Sequence, residues 1–171
     1  MLGPRARKVL LIVHLAVSVG WMGAAATYVA INVYALAATD EQTIRAAYLL
    51  MPVIGRGVLV PLAVATVLTG ITLALGTPWG LMRHYWVTIS LGITAFAATI
   101  LILHLPAIDS LAAKAGDPNN RVSDLGGDLL HSLGGLIVLT VPLVLNVTKP
   151  RGLTRYGWRE QMRRQQPRAV P

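Results

Sequence analysis

Four apolar stretches, each long enough to cross a bilayer, constrain this chain more than anything else in it. They run over about Val9–Ala38, Tyr48–Leu75, Trp86–Leu105 and Leu129–Val147. A membrane helix needs about 20 apolar residues, because the hydrocarbon layer is about 30 Å thick and each helical residue advances about 1.5 Å. Open segments in hydrocarbon must satisfy their own backbone hydrogen bonds, which leaves helix as their only form. Charged residues make up only 13% of the chain, about half of what a soluble domain uses to wet its surface. The expected fold is therefore all-α: an up-and-down bundle of four transmembrane helices over residues 1–148, followed by a basic tail over 149–171.

The first stretch begins with Arg5, Arg7 and Lys8 and carries small residues at Gly23–Ala26, as a signal peptide would. Its apolar character continues through Tyr28 to Leu36, far beyond a signal core of about 7 to 15 residues, so it reads as a span. The polar run Thr39-Asp40-Glu41-Gln42 ends it. Pro52 and Pro61 fall within the second span, where neighbouring groups can re-satisfy freed carbonyls. Residues 76–80 form a turn, and Arg83-His84-Tyr85-Trp86 reads as an interfacial anchor. Pro106 stops the third span in this reading, and the one substantial loop, Asp109 to Asp128, follows.

The formal charge of +8 does not point to nucleic acid, because the basic residues flank apolar segments and match anionic lipid headgroups. One side of the bundle collects Arg5, Arg7, Lys8, Arg83 and the seven basic residues from Lys149 onward, eleven of the fifteen. That asymmetry places both termini in the cytoplasm. Arg151, Arg155, Arg159 and Arg163 recur every four residues in the tail, beside Tyr156 and Trp158. On a helix they would line one face against lipid headgroups, each adding about 1 kcal/mol. Arg83, Trp86, Arg151, Arg155 and Arg159 are the expected lipid-facing anchors, and residues 165–171 are expected to be disordered. The chain has no cysteine, which excludes disulfides, iron–sulfur clusters, thiolate metal sites and c-type haem.

Ionisable groups inside a membrane are costly, so each is a candidate functional residue. His84 and His104 stand twenty residues apart at opposite ends of the third span. His131 opens the fourth span, Arg56 lies in the outer half of the second, and His14 lies two turns into the first. Depth therefore groups His104, His131 and Arg56 at the outer end. Two facing imidazoles suit the axial positions of a b-type haem, and an arginine suits its propionate. Gly134 and Gly135 leave room for a macrocycle, and Ser90, Ala97 and His104 form a small, polar stripe. Interfacial hydrogen bonding of the histidines and snorkelling of Arg56 are the alternatives. His14, Ser18, Trp21 and Ala25 share one face of the first helix, either as a packing seam or as a cofactor wall. Asp124-Leu-Gly-Gly-Asp128 lacks the spacing of an acidic metal loop and reads as a solvated connector.

The run from His14 through Trp21 to Gly23 resembles the first-helix pattern of the copper-resistance protein D family and of the membrane-bound, haem-containing protoporphyrinogen oxidase family. The whole chain resembles an actinobacterial four-helix membrane family of the domain-of-unknown-function kind. Residues 77–86, His104-Leu-Pro106 and residues 149–157 carry that second likeness. The first likeness implies His14 as a haem-iron ligand, which that family pairs with a lysine in a later helix. Here Lys8, Lys114 and Lys149 are terminal or in loops, so the oxidase activity does not carry over. The five methionines form no cluster for copper. The expectation is a multi-pass plasma-membrane protein of a bacterium. It is a non-enzymatic subunit working with a membrane partner or a second copy of itself, a b-haem redox or haem-handling protein, or a small transporter.

Overall fold

The computed structural model describes residues 2–77, 80–121 and 125–165, and the chain is all-α. Four helices are long and apolar enough to cross a membrane, so this is a multi-pass membrane protein. Helix α1 covers Pro4–Ala37. The second span is α2 (Glu41–Ile54), a π-helical turn (Gly55–Leu59) and α3 (Val60–Gly76), joined without a break. Helices α4 (Tyr85–Gly116) and α5 (Leu129–Thr148) are the third and fourth spans, and α6 (Arg155–Gln165) closes the described chain. The spans form a ring in which each packs on its neighbours in sequence and α5 returns to α1. We refer below to the end that carries both termini and the opposite, distal end.

The second span starts seven residues earlier than its apolar run. Asp40 caps it by accepting from the Thr43 amide at 2.9 Å, and Glu41 adds a favourable charge in the first turn. Hydrogen bonds from the Thr43 side chain and amide hold the Asp40 carboxyl below its ordinary value. Pro52 then removes one donor, and the chain widens three residues later. The Gly55 amide donates to Met51 and Pro52, and the Val60 amide reaches five residues back to Gly55. Gly55 brings this turn against α4, where an added Cβ would lie 3.4 Å from Leu105.

The third span does not stop at Pro106 but continues to Gly116, so Asp109 is helical rather than in a loop. A proline costs one backbone bond. Beyond it, Ile108, Ala112 and Ala115 are buried on the side where α4 packs on α2, and that seam carries the helix onward. Trp86, expected at the lipid interface, is instead buried at 8% exposure and packs with Ala74 and Val87. One position along a helix turns the side chain by about 100°, so the exposed Tyr85 keeps the interfacial place.

The tail is folded onto the bundle. Leu153 pairs with His84 as an isolated β-bridge. The Thr154 amide donates to the Arg83 carbonyl at 3.0 Å, and the Thr154 hydroxyl donates to Met82. Arg151, Arg155 and Arg159 are exposed, and Arg83 is partly buried. Residues 166–171, where most of the expected disorder falls, lie outside the described residues, as do Pro78 and Trp79 of the turn. Gly157 packs so tightly that a Cβ there would lie 2.3 Å from the Arg83 carbonyl oxygen. Gly157→Ala is therefore expected to release α6, seen as faster limited trypsin cleavage at Arg155 and Arg159; an unchanged cleavage rate would refute the docking.

Candidate functional site

The distal loop is held so that it delivers one carboxylate into the bundle. Arg45 of α2 donates to the carbonyls of Ala115, Asp117 and Asn120 at 2.8, 2.9 and 2.6 Å. It thereby satisfies the end of α4 and fixes the loop's departure. The Tyr48 hydroxyl donates to the Gly126 carbonyl at 2.9 Å, where φ is +66°, a conformation that glycine adopts at little cost. Asp128 follows, immediately before α5. It is only 7% exposed, so it is no solvated connector; Asp124 lies outside the described residues.

Both Asp128 carboxylate oxygens are used. Tyr28 of α1 donates its hydroxyl to Oδ2 at 3.0 Å, and Nε2 of His104 on α4 lies 2.6 Å from Oδ1. An ionised carboxylate only accepts, so His104 carries its proton on Nε2. The Ser132 hydroxyl donates to the Asp128 carbonyl at 2.9 Å and steadies the start of α5. His131 lies face to face with His104, their ring centroids 3.5 Å apart and their planes at 12°. Three spans thus meet at one carboxylate.

Depth in the sequence brought His104 and His131 together, and the structure does the same. Their geometry is not that of a haem pair, however. An iron shared by both would sit between their nitrogens with each ring edge-on to it. Rings stacked at 3.5 Å leave no gap for a macrocycle. Arg56 is not at this cluster either. It forms an ion pair with Asp109 of α4 on the outside of the bundle, where both side chains are exposed. The expected outer haem site does not fit these residues.

Below the cluster, a cavity of about 440 Å³ extends between α1, α4 and α5. His131 and Asp128 line its distal end, and Trp21, Phe96, Gly135 and Leu139 line the rest. His104, behind His131, does not line it. A Cβ on Gly134 or Gly135 would meet nothing within 4 Å, and the rim residues Phe96 and Leu130 are exposed. The cavity is therefore an apolar crevice open to lipid with a polar end.

His14 belongs to the other end of the bundle. Its Nδ1 lies 2.8 Å from the Thr69 hydroxyl, which itself donates to the Ala65 carbonyl at 2.7 Å. The Thr69 oxygen therefore accepts from His14, leaving the Nε2 lone pair unused by that bond. The ring sits in a notch made by Gly70, whose Cβ would come within 3.3 Å of Cε1. The Ser18 hydroxyl donates to the His14 carbonyl at 2.6 Å. His84 stands at the start of α4 and takes part in the bridge to the tail.

Comparison with family models, curated proteins and solved structures finds no match. Sequence reasoning passed over Asp128, Tyr28, Arg45 and Tyr48. The available signal was position: Asp128 stands three residues before His131, at the depth of His104 and of Tyr28. Replacing Asp128 with Ala leaves the buried Tyr28 hydroxyl and the partly buried His104 ring without their acceptor, and an unpaired buried donor costs about 1–3 kcal/mol. Asp128→Ala is therefore expected to lower the unfolding midpoint in detergent well below that of wild type. Tyr28→Phe in the same background should add little. Full additivity of the two changes would show that the residues do not act together.

Proposed function

We propose that this chain is a bacterial plasma-membrane protein with both termini in the cytoplasm. In this reading it holds a lipid-soluble molecule with a planar, carbonyl-bearing head in the distal crevice. It acts there as a non-enzymatic binding component of a membrane assembly. The orientation rests on the eleven basic residues gathered at the end that carries the termini. Reporter fusions after Gln165 and after Asn119 check it: activity of a cytoplasmic reporter at the loop position would reverse the assignment.

The observation that carries the binding reading is the division of labour between the two stacked histidines. His104 spends its Nε2 proton on Asp128, whereas His131 lines the crevice. The Asp128 oxygens are already occupied by donors. Tyr28, Asp128 and Ser132 also line the crevice, but their polar atoms are already engaged, so His131 is a polar group left to meet a ligand in a mostly apolar space. A planar head suits it, because one imidazole already stacks there and a neutral imidazole donates one hydrogen bond to a carbonyl. The open surface of Gly134 and Gly135 gives a tail somewhere to lie, toward the middle of the membrane.

A short-chain naphthoquinone is a suitable probe. It is expected to raise the unfolding midpoint of the purified protein saturably, as any ligand of the folded state does. His131→Ala should weaken that shift. Gly135→Leu, whose Cβ would meet nothing within 4 Å, should fill the groove and abolish the shift, with helicity unchanged by circular dichroism. No saturable shift in wild type, or an equal shift in Gly135→Leu, would sink the reading.

A further inference from the structure

A second cavity, of about 400 Å³, lies at the end carrying the termini, between α1, α3, α4 and α5. It is separate from the distal crevice and is divided from it by Trp21 and Leu139, which line both. Its wall contains two hydroxyls, those of Thr66 and Ser90, that are buried without a hydrogen-bond partner. Many Ser and Thr side chains along the membrane helices donate back to a carbonyl three or four residues earlier, as Ser18, Thr72, Thr94 and Thr99 do. Thr66 and Ser90 do not: each residue is only 5% exposed, and neither hydroxyl has a hydrogen-bond partner. Buried donors in a membrane protein are normally matched. Two unmatched ones in the wall of one cavity, which His14 also lines, mark a place where acceptors belong.

The mouth of the same cavity is cationic. Arg7 of α1 and Lys149 at the end of α5 line it with Asn146, and no acidic residue does so among the described residues. Lys149 is also the one non-glycine with positive φ among the described residues, at +44°. A lysine held in that sparsely populated conformation is a local strain. The distance from Arg7 to His14 along α1 is seven residues, about 10 Å. The flank is apolar and open: Leu11, Leu15 and Leu143 line the cavity and are 45%, 53% and 43% exposed. The site therefore has an anion-attracting mouth, donors in its wall and a sideways opening to lipid between α1 and α5.

We infer that this cavity binds one anionic phospholipid from the leaflet on the side of the termini. Its phosphate sits between Arg7 and Lys149, its ester carbonyls accept from Ser90 and Thr66, and its acyl chains leave between α1 and α5. Each part matches in kind. Phosphate at headgroup level is drawn to arginine and lysine, ester oxygens only accept, and hydroxyls can donate. The inference is independent of the distal ligand.

Native mass spectrometry of the full chain in mild detergent, offered equal phosphatidylglycerol and phosphatidylcholine, tests it. Wild type is expected to retain a single phosphatidylglycerol in clear preference. Arg7→Gln with Lys149→Gln, at exposed positions that should not disturb folding, should erase that preference. Ser90→Ala and Thr66→Val should each lower retention several-fold, with helicity unchanged by circular dichroism. Gly135→Leu should leave retention untouched, which separates failure here from failure at the distal crevice. Equal retention of both lipids would overturn the inference, as would a preference that survives the Arg7/Lys149 change. Displacement of phosphatidylglycerol by oleate would overturn the phospholipid assignment in favour of a single-chain carboxylate. If no lipid is retained and Ser90→Ala and Thr66→Val are neutral or stabilising, the two hydroxyls face water only and the inference fails.

Discussion

A carboxylate inside a membrane bundle is tolerable only if donors are brought to it, and Asp128 obtains its two from different spans. Tyr28 arrives on α1 and His104 on α4, while Asp128 itself starts α5. Charged groups leave water at a cost of several kcal/mol unless they are paired and hydrogen-bonded. The distal architecture follows from meeting that demand. Arg45 and Tyr48 hold the loop so that Asp128 points inward, and His131 then closes over His104. The second span enters the network only through the loop, so the carboxylate ties the ring of helices both directly and through its connector.

The rest of the bundle shows how little such a protein needs to bury. Lipid tails are as apolar as the leucines that face them, so large side chains such as Leu103, Leu68 and Val147 remain outside. Close approach between helices comes instead from small residues, among them Ala63, Ala98 and Ala115. Where the seam contains bulk, as at Trp21 and Leu139, it separates two spaces of different character. The distal space is mostly hydrocarbon, with His131, Asp128, Tyr28 and Ser132 gathered at its end. The other adds several hydroxyls to an apolar lining and has cations at its mouth.

The four spans were legible because hydropathy over about 20 residues is a physical necessity of crossing hydrocarbon. Their ends were less so. Pro106 looks like a stop because it removes a donor, yet packing of Ile108, Ala112 and Ala115 outweighs one lost bond. Glu41 looks like loop because it is polar, yet the Asp40 cap begins the helix there. At the site, depth correctly put His104 beside His131, since depth is set by chain position. What depth could not give was rotation about the helix axis. That rotation turns Arg56 outward to Asp109, carries Trp86 inward, and makes a buried acceptor of an aspartate that reads as a connector.

The π-helical turn at Gly55–Leu59 acts as a phase adjuster between two halves of one span. It adds a residue to a helix that otherwise repeats every 3.6, which amounts to a rotation of about 100°. Upstream of it, Tyr48 and Met51 are buried on the half that packs on α4; downstream, Ala63 and Thr66 are buried on the half that packs most on α1. Without that offset, a single apolar phase could not serve both partners, and Thr69 and Gly70 would turn away from His14. The local insertion thus lets one polypeptide strut meet two differently oriented neighbours, one on each side of the turn.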